Sequence, residues 1–304
     1  MRNSAEEVSA WATSTNAVQR RHPPTAPGVA PPPGVAHWLT AGALTVSAVV
    51  AAVTFFVPSV LRGPAAMNGS ARGTALVVLV LGVPLTAGAL AWARRGSTGA
   101  LLVWLGGLGY LLYNALMFVF ATPMNTLFLG YVAMLSLALW SVVAVLVHTD
   151  VPGLGQRFTD RLPVRGLAGY VWVIVTLNAL AWLGPITRGL VDGDPAAMLD
   201  GTGLISNPVY VQDLAVWLPL MAVAAWWLWQ RRPWGHLVVP SVLVMWVVES
   251  VGIATDQWFG HRADPSSTVV SAALVPAFAV LAVVGLVPLV FFFRDLRRTG
   301  HPQG

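Results

Sequence analysis
The chain has 304 residues, 56% of them hydrophobic and only 10% charged, with a net charge of +5. A soluble domain carries about 25% charged residues, so most of this chain is excluded from facing water. It has no cysteine, which excludes disulfides, thiolate metal sites, cysteine nucleophiles and iron–sulfur ligation.

Apolar runs of about 18–25 residues recur, the length a helix needs to cross a hydrocarbon core of about 30 Å. Backbone polar groups in lipid must bond within their own segment, which selects helices. A membrane barrel requires alternating strands of about ten residues, and these runs do not alternate. All 17 basic residues are Arg. We read this as GC-rich coding, and the positive charge as an orientation signal, with no nucleic-acid partner.

Residues 1–36 are expected to be a disordered cytoplasmic tail rich in Pro (Pro23, Pro24, Pro27 and Pro31 to Pro33). Their length and polar start do not fit a secretory signal. Eight spans follow, at about 37–61, 74–93, 99–121, 125–147, 167–184, 213–230, 235–255 and 269–293. The expected fold is an all-α polytopic bundle of about eight transmembrane helices over 37–293, with a short basic cytoplasmic tail at 294–304. With the amino terminus inside, 13 of the 17 arginines lie on the cytoplasmic side and Arg62, Arg72, Arg188 and Arg262 lie outside. The positive-inside rule selects that threading, with both termini expected to be cytoplasmic.

A repeat is one further reading. Val83-Pro84-Leu85 leads to Trp92 and Arg94-Arg95, and Leu218-Pro219-Leu220 leads to Trp229 and Arg231-Arg232. A duplicated four-span unit gives two parallel repeats, and chance is the alternative. Gly106, Gly107 and Gly109, and the run Ala87-Gly88-Ala89, mark close helix approach.

The densest intramembrane polar stretch is residues 110–131. Tyr110, Tyr113 and Asn114 precede the break Thr122-Pro123-Met124-Asn125, and Thr126 and Tyr131 follow it. In the expected threading these residues, Asn178, Asp213 and Glu249 all fall in the outer halves of their spans. Glu249 reads as the only acidic group well inside a span, with Asp256 seven residues on and near the same helical face. A charge at mid-bilayer costs roughly 2.5–3.5 kcal/mol on insertion scales, so such a group faces water, a partner or a substrate. The candidate substrate-binding set is Glu249, Asn114, Tyr113, Asn178 and Asp213. Interhelical hydrogen bonding is the competing role for each of them. His37, His148 and His236 sit at the inner span ends, where an interfacial role outweighs metal binding. No catalytic residue, metal or cofactor is assigned.

The 110–131 hairpin with Leu135-Ser136-Leu137, the Asn207-Pro208-Val209-Tyr210 entry to the Asp213 span, and Arg231-Arg232-Pro233-Trp234-Gly235 together resemble an uncharacterised family of multi-pass bacterial integral membrane proteins. The resemblance covers roughly 95–255. It implies a membrane location and supplies no activity and no residue roles.

Three functions fit the sequence. The simplest is a structural or accessory membrane protein, whose partners are the lipid bilayer and another membrane protein. The second is a small-solute or proton-coupled transporter with an outward-facing polar cavity. The third is a membrane-embedded enzyme acting on a lipid or envelope intermediate, with Glu249, Asp213 or His261 as acid and base.

Overall fold
The computed structural model describes residues 34–299. The Pro-rich tail up to residue 33, and residues 300–304, lie outside the described residues. No strand occurs among the described residues. Eight helices of the described residues are long and apolar enough to cross a bilayer, the architecture of an all-α, multi-pass membrane protein. They are α1 (Gly34–Phe56), α2 (Ala65–Ala93), α3 (Thr98–Phe120), α4 (Phe128–Val147), α5 (Val164–Val191), α6 (Pro208–Trp229), α7 (Pro233–Ala263) and α8 (Leu274–Thr299). Eight crossings leave the start of α1 and the end of α8 on one face, here the terminal face.

The helix ends follow local chemistry. Ser97 caps α3 by accepting from the Ala100 N–H at 3.3 Å. Asn207 caps α6 by accepting from the Val209 and Tyr210 N–H groups at 3.0 and 3.3 Å, with Pro208 at the first helical position. The hairpin between α3 and α4 is tied by Asn125. Its Oδ1 accepts from the Leu127 N–H at 2.8 Å and its amide donates to the Pro123 carbonyl at 3.1 Å. Tyr131 stacks on Phe118 beneath it, ring centroids 5.3 Å apart. At the end of α7, Asp264 accepts from the Ser266 N–H and hydroxyl, which holds its carboxyl below the usual carboxylate range.

The helices outrun the hydropathy. α5 continues to Val191 and α7 to Ala263, past the expected ends at 184 and 255. Hydropathy falls wherever polar residues enter a helix, whereas backbone hydrogen bonding carries the helix on past them. Arg188, His261 and Arg262 are therefore helical.

α3 and α7 form the centre. In their most apolar stretches 72% and 61% of residues are buried, against 17% for α5 and α8. α3 packs on α2, α4 and α7, while α7 packs on α2, α3, α6 and α8. α1 closes against α4 and α2, and α5 lies against α6.

Glycine sets these approaches. A Cβ on Gly106 would lie 2.8 Å from the Val244 side chain, and one on Gly109 3.3 Å from the Met245 sulfur. Between α2 and α7 the contact is backbone to backbone. A Cβ on Gly69 would lie 2.5 Å from the Phe259 carbonyl oxygen, and one on Gly73 2.7 Å from Asp256 Cα. Gly88 departs from expectation: nothing lies within 4 Å of its Cβ position.

Two helices share an irregularity. α2 widens into a π turn at Val78–Gly82 and α6 at Asp213–Trp217. Each is followed at once by the X-Pro-Leu motif. Proline has no N–H and its ring crowds the carbonyl four residues back. Those carbonyls belong to Val80 and Ala215, and both lie inside the π turns. The motif shared by the two halves thus produces the same backbone feature in both.

Gly69→Val drives a side chain into α7 backbone that has nowhere to move. Overpacking of this kind costs about 1–3 kcal/mol. We expect Gly69→Val to lower the thermal midpoint of the detergent-solubilised protein, and Gly88→Ala to leave it unchanged or raise it by the equivalent of about 0.5–1 kcal/mol. Unfolding followed by circular dichroism checks both.

Candidate functional site
α3 carries Tyr110, Tyr113 and Asn114 within little more than one turn, and all three are buried. They face different neighbours. The Tyr110 ring fills the space over Gly82, at the end of the α2 π turn, where a Cβ would collide with it. Tyr113 turns toward α6, its ring 6.2 Å from that of Trp217 and its hydroxyl interacting with Asp213. Asn114 turns toward α7 and donates Nδ2–H to Glu249 Oε2 at 2.8 Å, and to its own-helix Tyr110 carbonyl at 3.1 Å. The remaining polar residues of the hairpin, Asn125 and Tyr131, hold the turn and take no part in this cluster.

Asp213 opens the α6 π turn and is 7% exposed. Its Oδ2 accepts from Trp182 Nε1–H of α5 at 2.9 Å. Asn178 lies one turn before Trp182 on α5, and its Oδ1 is buried with no hydrogen-bond partner among the described residues. Asn178 thus approaches the cluster through its neighbour, with no direct bond to Glu249 or Asn114 among the described residues.

Sequence reasoning named Asp256 but placed it just beyond the end of its span. Because α7 runs to Ala263, Asp256 is also inside a span, so Glu249 is not the only intramembrane acid. Two helical turns separate them, about 10 Å of rise. Asp256 accepts from Gln257 Nε2–H at 3.0 Å and interacts with Ser70 of α2. Gln257 also ties the loop before α8, accepting from the Ser271 N–H at 2.9 Å. The available signal was the helical face Asp256 shares with Glu249. The fall in hydropathy at Asp256-Gln257 concealed it.

Glu249 is within electrostatic range of both Asp213 and Asp256. The three carboxyl groups have no Arg or His among their hydrogen-bonding and charged neighbours in the described residues. An ion pair of Arg231 with Asp160, at 3.7 Å, lies on the terminal face. Beside Glu249, the Tyr110 hydroxyl is buried and without a partner among the described residues. Gly252 spaces the two: its Cβ position is 3.6 Å from the Tyr110 hydroxyl and 3.9 Å from Glu249 Oε2. A small residue there leaves room for both groups to face a third.

Asn114 and Glu249 stand 135 positions apart, the offset that also relates Pro84 to Pro219. Gly106 packs on Ser241 at that same offset. Two parallel helices crossing about a local two-fold axis bring matching positions together in this way, as parallel repeats do. Comparison of the chain with family models, with curated proteins and with solved structures finds no match.

Removing Asn114 leaves a buried carboxyl oxygen without its donor, a loss of about 1–3 kcal/mol. We expect Asn114→Leu and Glu249→Leu each to destabilise the bundle. The double variant should lose less than the sum of the two. A double-mutant cycle in bilayer-like micelles measures the coupling.

Proposed function
We propose that this chain resides in a bacterial cell membrane with both termini cytoplasmic, and that it moves a small solute in step with a proton. Glu249 is the group that takes up and releases the proton. Asn114, Tyr113, Asp213 and Asn178 shape the site beside it. The threading rests on the arginine distribution, which puts the cluster in the outer half.

One observation carries the reading: Glu249 lies within electrostatic range of two further acids, Asp213 and Asp256, with no cation beside the three in the described residues. An accessory protein needs only adhesion between helices, and amides and hydroxyls supply that at about 0.6–2 kcal/mol per contact. A carboxylate at mid-bilayer costs roughly 2.5–3.5 kcal/mol on insertion scales, so Glu249, at the middle of α7, costs more than adhesion requires. Groups that are neutral in one state and charged in another are what coupling requires. The bonds found here also fit the alternation. Glu249 accepts from Asn114 and faces the free Tyr110 hydroxyl, so a bound solute has both a donor and a protonatable oxygen within reach.

The test uses vesicles loaded with a pH-sensitive dye and screened with small amino acids, sugars and organic acids. A solute that acidifies wild-type vesicles should leave Glu249→Gln vesicles unchanged. Asp213→Asn should weaken the response without abolishing it. Equal acidification by wild type and Glu249→Gln contradicts the proposal.

A further inference from the structure
On the face opposite the termini, a groove of about 510 Å³ separates the end of α3 from the start of α6. Its volume falls in the range of about 300–1,000 Å³ occupied by small-molecule sites. The lining is apolar, with Leu116, Phe120 and Pro123 on one side and Leu204 and Val211 on the other. Phe120 and Val211 are 62% and 58% exposed, so the groove opens sideways, toward lipid in a spanning chain.

One buried polar group lines it. Gln212 is 5% exposed, and its Nε2 has no hydrogen-bond partner among the described residues. Its orientation is fixed by chemistry. Trp217 Nε1–H can only donate, and it donates to Gln212 Oε1 at 3.3 Å. The carbonyl end is therefore taken, and the amide end is a buried donor without a partner among the described residues. A ligand that draws this donor into the groove must bring it a hydrogen-bond acceptor, and hydrocarbon to the rest.

The groove is also an open counterpart of a closed contact. At the 135-residue offset, Gly69 and Gly73 of α2 correspond to Leu204, in the segment before α6, and Pro208, its first residue. In the first half those glycines bring α2 onto the α7 backbone. In the second half Leu204 and Pro208 line the groove between α6 and α3. The interface is open where its glycine-lined counterpart is shut.

Depth selects the occupant. Gln212 is the fifth residue of α6, about 6 Å of rise below the helix start. α6 is 22 residues long, so it spans about 33 Å and its start lies near the edge of a hydrocarbon core of about 30 Å. A bilayer glycerolipid places an acyl ester carbonyl near that boundary with its hydrocarbon chain below. We infer that this groove is a binding site for one phospholipid of that leaflet, with the acyl ester carbonyl accepting from Gln212 and the chain lying along Leu116 and Phe120. The inference is independent of solute transport.

The full chain is reconstituted in phosphatidylethanolamine–phosphatidylglycerol vesicles containing a trace of phospholipid with a photoactivatable diazirine on its acyl chain. After irradiation, labelled peptides are mapped by mass spectrometry. Label is expected to concentrate on 116–123 and 203–212, above the level at Val173 and Leu177 on the exposed face of α5. Leu116→Trp, which fills the groove, should abolish the enrichment while α5 labelling persists as the control for folding. In the wild type, an ester-linked phospholipid should compete about three- to tenfold better than its ether-linked analogue, the value of one lost hydrogen bond. Labelling no denser than on α5, enrichment that survives Leu116→Trp, or equal competition by ester and ether lipids would each overturn the assignment.

Discussion

The hydrogen bond from Asn114 to Glu249 joins the two central helices of the bundle, and the rest of the site is arranged around it. A carboxyl group at this depth has no bulk water to turn to, so its partners are whatever neighbouring helices provide. α3 provides Asn114, and the surrounding helices supply the partners of the other two acids. Tyr113 and Trp182 reach Asp213 from α3 and α5, and Ser70 reaches Asp256 from α2. Five helices thus meet through three acidic side chains. Glycine makes the meeting possible, because α3, α2 and α7 approach at Gly106, Gly69 and Gly73 closely enough for short side chains to span the gap.

The two halves of the chain use the same devices to different ends. Proline places a π turn in α2 and in α6. In α2 the turn ends at Gly82, which accepts the Tyr110 ring. In α6 it begins at Asp213 and ends at Trp217, which presents a carboxyl group to α3 and an indole to Gln212. π turns favour functional sites because they rotate side chains out of the regular helical register. Here one turn serves packing, and the other sets an acid and a donor beside the cluster and the groove.

The spans were legible because hydropathy reports directly on lipid contact. The choice of Asn114, Tyr113, Asp213 and Glu249 was legible because each breaks an apolar run at a similar depth. Even the meeting of Asn114 with Glu249 had a trace in the sequence, through Pro84-Leu85 and Pro219-Leu220, which stand at the same offset of 135. Asp256 was not legible as an intramembrane group, since the helix outlasts the apolar run that would have enclosed it. Partners were not legible either. Spacing places Gln212 on a helix, but only packing shows that Trp217 occupies its carbonyl and nothing occupies its amide. Gly88 failed as a packing signal for the same reason: a small residue permits close approach, and a neighbour must still be there.

Glu249 can take up and release a proton only if water reaches it, during the transport cycle, from the face opposite the termini. The native chain has no cysteine, so single cysteines can be introduced without background. Glu249→Cys, Asp256→Cys and the lipid-facing control Val143→Cys would be treated in intact cells with a membrane-impermeant maleimide. The account predicts labelling at 249 and 256, none at 143, and protection when the cells are first exposed to a transported solute. Normal expression with no labelling at 249 would make the acid cluster dry packing and contradict the account.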